Sequence, residues 1–263
     1  EGGPGALAAA ILGETARYGL HLDAGRRATL VVDVVCPVRS TADFGAVGYL
    51  VGRLAGDGVP FLRLWAGPDD LGAHTDLMCS PYLAQLKALG AAMAASGAVA
   101  LYHIGDVTPE ARLRDDLIPP GAARVVLEDL SPGYAALNTS AAEVDLVSIG
   151  CPHASLEELA EVAEQLRGRP VRADLWITTA RATLEEARRR GIGEALAASG
   201  ARLLADTCLV VAPMAHFRYR VLATNSAKMA TYAPGHCGLS THFGPLEACI
   251  EAALTGRWGG PET

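Results

Sequence analysis

The chain has 263 residues, half of them apolar, which is enough to bury one large core or two modest ones. Its formal charge is −7, from 22 basic and 29 acidic residues, and no block of Lys and Arg occurs, so the electrostatic footprint of a nucleic-acid binder is missing. Gly, Pro and charge break every apolar stretch short of roughly 18 residues, and no basic segment precedes an apolar one at the start, so the sequence reads as neither membrane-spanning nor secreted.

In chain order, a helix-like apolar run surrounds Leu7, a strand spans Thr29 to Val35, and an amphipathic run covers Phe44 to Leu54. Gly45, Gly48 and Gly52 lack the strand-turn-helix order of a phosphate loop and predict close helix packing instead. A strand follows over Val59 to Leu64. The segment from Trp65 to Pro81, rich in Gly, Pro, Asp and His, reads as a linker. Residues 1–80 are thus expected to form an N-terminal α/β segment, and residues 81–263 an α/β region carrying the functional site.

From Tyr82 onward helices and buried strands alternate: helix Tyr82 to Ser96, strand Ala98 to His103, strand Ala123 to Leu127, helix Gly133 to Asn138, strand Val144 to Ile149 and helix Leu156 to Leu166. The second half continues with strand Ala173 to Ile177, helix Ala182 to Arg190, strands Ala201 to Leu204 and Tyr219 to Leu222, and a last helix from Leu246 to Leu254. This alternation predicts an α/β fold of mostly parallel sheets flanked by helices.

Cys151, in Ile-Gly-Cys-Pro-His, and Cys208, in Ala-Asp-Thr-Cys, each follow a predicted buried strand. In a parallel sheet the strand ends share one edge, so these thiols can meet there and serve a soft metal. Cys237, in a Gly-His-Cys-Gly turn preceded by Pro234-Gly235, or a cysteine on sequence outside this chain, is the candidate for a third sulfur. Six cysteines without regular spacing do not make a disulfide framework, and a reducing cytoplasm is the natural setting. Cys36, Cys79 and Cys249 read as structural.

Ser155 and Glu158 form a capping box, so Cys151 and His153 are expected in a strand-to-helix turn whose bare N–H groups favour thiolate and carboxylate. The same arrangement recurs at Thr178-Thr179 and at Thr224-Asn225-Ser226. His153, Ser155, Thr178, Thr179, Asn225, Ser226 and Lys228 are therefore the expected substrate-binding residues, with Ser226 and Lys228 acting on the substrate. Lys228 carries extra weight because only Lys87 and Lys228 supply ammonium groups. Asn225 or Ser226 also reads as a helix cap. His21, Asp23 and His103 read as substrate-orienting groups or as satisfied polar side chains, and Glu110 as a first-turn helix acid.

Several of these blocks resemble the aconitase X family: Glu1-Gly-Gly-Pro-Gly-Ala-Leu-Ala-Ala-Ala-Ile, Tyr18 to Asp23, Gly58-Val-Pro, the run from Leu86 to Leu101, Gly150-Cys-Pro-His-Ala-Ser-Leu-Glu-Glu, Asp206-Thr-Cys, Thr224-Asn-Ser-Ala-Lys and Phe243-Gly-Pro-Leu-Glu-Ala-Cys. The likeness runs nearly end to end. It implies a hydro-lyase that dehydrates cis-3-hydroxy-L-proline or mevalonate 5-phosphate, using an iron-sulfur cluster with one open iron, and it puts Cys151 and Cys208 at ligand positions. It also implies a further cysteine from a region preceding the Glu-Gly-Gly-Pro block, and a small swivelling domain or subunit that supplies a catalytic serine. By that likeness the chain is a fragment, or a subunit whose remainder lies elsewhere. The heavy use of Arg and Ala suggests a bacterial gene and, with it, the hydroxyproline substrate. A non-catalytic metal-binding structural subunit and a zinc or metal-free α/β enzyme remain alternatives.

Overall fold

A computed structural model of the chain describes residues 3–74 and 76–260. Glu1 and Gly2 of the Glu-Gly-Gly-Pro block lie outside the described residues. The elements are, in order, α1 (Gly3–Leu12), β1 (Leu30–Val34), α2 (Thr41–Ala55), β2 (Pro60–Leu64), α3 (Leu83–Gly97), β3 (His103–Ile104), α4 (Pro109–Leu113), β4 (Ala123–Leu127) and α5 (Ser131–Ala136). There follow β5 (Leu146–Ala154), α6 (Leu156–Leu166), β6 (Asp174–Thr179), α7 (Arg181–Arg189), α8 (Ile192–Ala198), β7 (Arg202–Ala205), β8 (Val221–Thr224), α9 (Ala227–Cys237), β9 (Ser240–Phe243) and α10 (Leu246–Thr255).

Two parallel sheets result, ordered β3-β2-β1-β4 and β7-β6-β5-β8-β9. The α/β expectation with mostly parallel sheets is met. The division expected at residue 80 falls inside the first sheet's own connections, because β3 and β4 pair with β2 and β1. The Gly- and Pro-rich segment after β2 is a surface connection leading into α3. Such residues mark where a chain turns, whether or not a domain ends there. The change of sheet comes between β4 and β5.

Each sheet is built outward from a buried first strand. All five residues of β1 are buried, as a strand covered on both faces requires. Leu30, Val32 and Val34 pack under α2 and α3, while Val31 meets Phe61 and Leu117 on the opposite face. The glycines of α2 allow a close approach between helices: a Cβ on Gly48 would stand 2.4 Å from the Leu89 carbonyl oxygen, and one on Gly52 would stand 2.1 Å from Ser96 Oγ. The small-residue spacing is a packing device, as the sequence suggested. In the second sheet, Val147, Ile149, Leu175 and Ile177 pack against α6 and α10, and Leu146, Trp176 and Leu222 pack on the other face with Leu209 and Met229.

The two units share a core. Ala227 and Ala230 of α9 and Phe243 of β9 belong to the cluster under the first sheet. The ring of Phe243 stacks on Tyr134 at 5.2 Å. No helix among the described residues is long and apolar enough to cross a membrane.

Candidate functional site

Both sheets change strand direction of growth at their first strand: β2 and β4 flank β1, and β6 and β8 flank β5. At such a switch point the connections leave in opposite directions and open a crevice beyond the carboxyl ends of the strands. Here a cavity of about 590 Å³ is lined from the first unit by Ser40 and Thr41 at the start of α2 and by Lys87 of α3, and from the second unit by Ile149, Ser155 and Asn225. Helix N-termini border it. Ser40 caps α2 through a reciprocal box with Asp43, and Ser155 caps α6 through the same arrangement with Glu158. Ser155 and Asn225 therefore stand where the sequence predicted, at helix starts facing a crevice.

The cavity carries the acidic side chains Glu157, Glu158, Glu161 and Glu247 beside Lys87. Burial raises the Glu161 carboxyl above the ordinary glutamate range, and the carboxylates of Glu247, Glu158 and Glu164 push it the same way. Glu157 is lowered, mainly by its own backbone N–H and by the Ser155 hydroxyl. Neighbouring carboxyl groups on α6 are thus pulled apart in acidity, and Glu161 is the better proton holder of the two.

Beside the cavity lies a rim that carries the thiols. The end of β5 is irregular: its register against β6 shifts between Ile149 and Ala154, Gly150 has φ +94°, and the Cys151–Pro152 peptide bond is cis. A Cβ on Gly150 would fall 2.1 Å from the Thr178 carbonyl oxygen, so this turn requires glycine. Cys151 and His153 consequently lie on a kinked strand end, not in a free turn. Cys151 is half-buried against a cluster that includes Leu209, the residue after Cys208. His153 Nε2 donates to the Thr207 carbonyl at 2.7 Å and ties this strand end to the Cys208 segment. Neither thiol lines the cavity itself.

The remaining predicted residues have specific structural duties. Thr178 Oγ1 donates to the Gly150 carbonyl at 2.5 Å and Thr179 Oγ1 to the Ala154 carbonyl at 2.6 Å, so both buried hydroxyls brace the end of β5. Ser226 is buried, and its oxygen accepts the Met229 N–H at 3.1 Å as the cap of α9. It holds a helix start. Lys228 stands in the first turn of α9 with its Nζ 6.0 Å from the centre of the Tyr232 ring.

Cys237 ends α9 instead of lying in a turn, with its Sγ 3.9 Å from the Leu209 carbonyl oxygen. Burial raises its thiol pKa, and the neighbouring Cys208 adds to that. Among the described residues no group of three or more His, Cys, Asp or Glu side chains is placed to hold a metal ion. The donor chemistry fits a thiophilic metal at two positions.

Away from the cavity, His103 is buried, with Nε2 donating to the Arg26 carbonyl at 2.8 Å, and the ion pair of Glu110 with Arg26 at 2.6 Å lies beside it. His21 and Asp23 are exposed. Cys36 and Cys249 are buried, but Cys79 is exposed and borders the cavity. The first unit's contribution to the cavity, above all Lys87 and Ser40, lies outside the expected site residues. The scarcity of lysine and the Ser-x-x-Asp spacing at Ser40 were the available signals.

Residues 28–132 match the aconitase X second domain and residues 144–255 the aconitase X third domain. The chain is 45% identical over 92% of its length to a phosphomevalonate dehydratase large subunit of Methanothermobacter thermautotrophicus, covering 57% of that protein. It is 35% identical over 94% of its length to a cis-3-hydroxy-L-proline dehydratase of Hypocrea jecorina, covering 42% of it. The crystal structure of Thermococcus kodakaraensis aconitase X in its holo-form superposes with a TM-score of 0.83 at 38% identity, covering 96% of this chain and 62% of that one.

Proposed function

Because this chain belongs to the aconitase X family, we propose that it contributes the second and third domains of a hydro-lyase that dehydrates mevalonate 5-phosphate. The observation that carries this reading is the cavity between two facing switch points, bordered by helix N-termini and flanked by a rim on which Cys151 and Cys208 are joined through His153 and Thr207. The higher identity to phosphomevalonate dehydratase large subunits supports this substrate over cis-3-hydroxy-L-proline, which residue usage had favoured. The chain spans about three-fifths of the length of those large subunits.

Cys151 and Cys208 would hold an iron-sulfur cluster together with a ligand from outside this chain, and when bound it supplies a Lewis acid for the substrate hydroxyl. The chain's own groups bind and orient. The first turns of α2, α6 and α9, whose cap and third N–H groups are already paired, would present their remaining N–H groups and positive dipole ends to the substrate's anionic groups. Lys228, three residues after Asn225 in the first turn of α9, would add an ammonium from the second unit. Glu161, whose carboxyl is raised by burial and by its acidic neighbours, is the wall group best suited to exchange a proton with the substrate. The name large subunit, carried by the relatives, supports a small-subunit partner.

The test is anaerobic purification of the full-length large subunit with its small subunit, followed by iron and sulfide analysis and parallel assays with mevalonate 5-phosphate and cis-3-hydroxy-L-proline. Turnover of the phosphate with iron and sulfide bound is the expected result. Turnover of hydroxyproline alone would reassign the substrate. Zinc, or no metal, in an active preparation would overturn the cluster.

A further inference from the structure

One of the chain's two lysines places its ammonium against the second unit. Lys87, on α3 of the first unit, donates to the His153 carbonyl at 3.1 Å and pairs with Glu158 at 3.4 Å, both on the second unit. Glu158 is itself fixed, because the same oxygen accepts the Ser155 N–H at 2.9 Å in the capping box of α6. The pair is largely shielded, with Lys87 and Glu158 side chains 29% and 23% exposed. Partial burial of this kind strengthens a charge-assisted contact relative to a solvated surface pair.

His153 is held at both ends: its carbonyl by Lys87, its ring by the Thr207 carbonyl. Two hydrogen bonds therefore lead from the first unit, through His153, to the segment carrying Cys208, and pass two residues from Cys151. A compact ammonium suits this junction. It directs separate donors at a carbonyl and a carboxylate, whereas the planar fork of arginine favours bidentate pairing with one partner. The chain uses arginine for nearly all its other cations.

We propose that Lys87 is a positioning residue for the thiol rim: by clamping the His153 carbonyl and Glu158 it sets where Cys151 stands relative to Cys208. The inference rests on the reading of those cysteines as cluster ligands. It makes the geometry of the rim depend on the docking of the first unit against the second.

The test uses the full-length protein with its small subunit and the variants Lys87→Met, which keeps the apolar stem, and Glu158→Gln, which keeps a cap for Ser155. Two quantities are read: cluster absorbance per chain after anaerobic purification, and the rate of Cys151 alkylation by iodoacetamide in iron-free protein, with the exposed Cys79 as internal control. Lys87→Met should accelerate Cys151 alkylation about fivefold, the shift produced by losing one hydrogen bond of roughly 1 kcal/mol, and should lower cluster absorbance, with the Cys79 rate unchanged. Glu158→Gln should move both readings in the same direction by less. Wild-type alkylation rates together with wild-type absorbance in Lys87→Met would overturn the proposal, and if that variant does not fold, the same outcome in Glu158→Gln does so. A wild-type protein without any cluster absorbance would refute the ligand reading instead, and the alkylation rates would still decide the role of Lys87.

Discussion

His153 and Thr207 are 54 residues apart in the chain and are joined by one hydrogen bond of 2.7 Å between a ring nitrogen and a backbone carbonyl. The carbonyl can only accept, so the ring carries its proton on Nε2. This contact is what brings the strand end bearing Cys151 against the segment bearing Cys208. His153→Ala should cost about 1 kcal/mol of stability, the worth of one such bond, and should reduce cluster content more than it reduces the melting temperature. Iron analysis beside calorimetry checks it.

The thiols divide by their surroundings. Cys151→Ser and Cys208→Ser should each abolish cluster absorbance and turnover, because a serine oxygen is a poor ligand for iron in a thiolate site. Cys237→Ser should retain both, since Cys237 is tucked against the Leu209 carbonyl at the end of α9 with its thiol pKa raised by burial. Loss of the cluster in the Cys237 variant would make it a third ligand.

Gly150 has no room for a side chain. Gly150→Ala would drive a Cβ to within 2.1 Å of the Thr178 carbonyl oxygen at a φ of +94°, and should destabilise the protein by on the order of 3 kcal/mol. A fall in the chemical denaturation midpoint measures it, and an unchanged midpoint would mean that the end of β5 relaxes freely.

Ser155→Ala removes one half of a capping box. The Glu158 N–H loses its acceptor at 3.2 Å, and α6 should lose about 1 kcal/mol, with Ser155→Gly costing only a few tenths. Both variants should also raise KM, because Ser155 lines the cavity.

Glu161 sets a pH dependence of definite sign. Its pKa is raised in the folded protein, chiefly by burial and then by Glu247, Glu158 and Glu164, so the folded state binds its proton more tightly than the unfolded chain does. The associated stability is fully present below the unfolded value of roughly 4.3 and is lost as pH rises through the folded value. Glu161→Gln should therefore stabilise the protein near pH 7 by a few tenths of a kcal/mol, solvent screening keeping the effect small, and the gain should vanish near pH 4. Urea midpoints at the two pH values read it directly.

The sequence disclosed those parts of the fold whose local chemistry agreed with their surroundings. The helix over Leu156 to Leu166 and the strand over Ala123 to Leu127 are found at the predicted residues, one marked by its capping box and the other bounded by turn residues. α9 was not legible because Pro234 and Gly235 read as a breaker, yet the helix runs through them on a packed side formed by Ala227, Met229, Ala230 and Ala233. β9 was missed because its buried Thr241 and His242 look like loop residues. Their polarity is met by the carbonyls of Leu137 and Ala141, a long-range arrangement that no local pattern reports. Of the strand expected over Ala98 to His103 only His103 lies in β3, and Ala98 adopts a left-handed conformation that closes α3.

The candidate site divides the same way. Ser155, Asn225 and the thiol segments were legible from their positions at strand ends, whereas Lys87 reaches its partners 66 and 71 residues away. Thr178 and Thr179 had the right location and the wrong duty. A hydroxyl at a strand end reads alike whether it faces a ligand or a neighbouring carbonyl, and here the bulge in β5 takes up both.

The placement of Phe243, Ala227 and Ala230 inside the first sheet's core has a bearing on engineering. A cut in the connection between α5 and β5 would leave one half with an oily socket and the other with a bare aromatic plug. The two halves should then precipitate when produced separately and remain dissolved when produced together, so any engineered split of the chain has to supply both pieces at once.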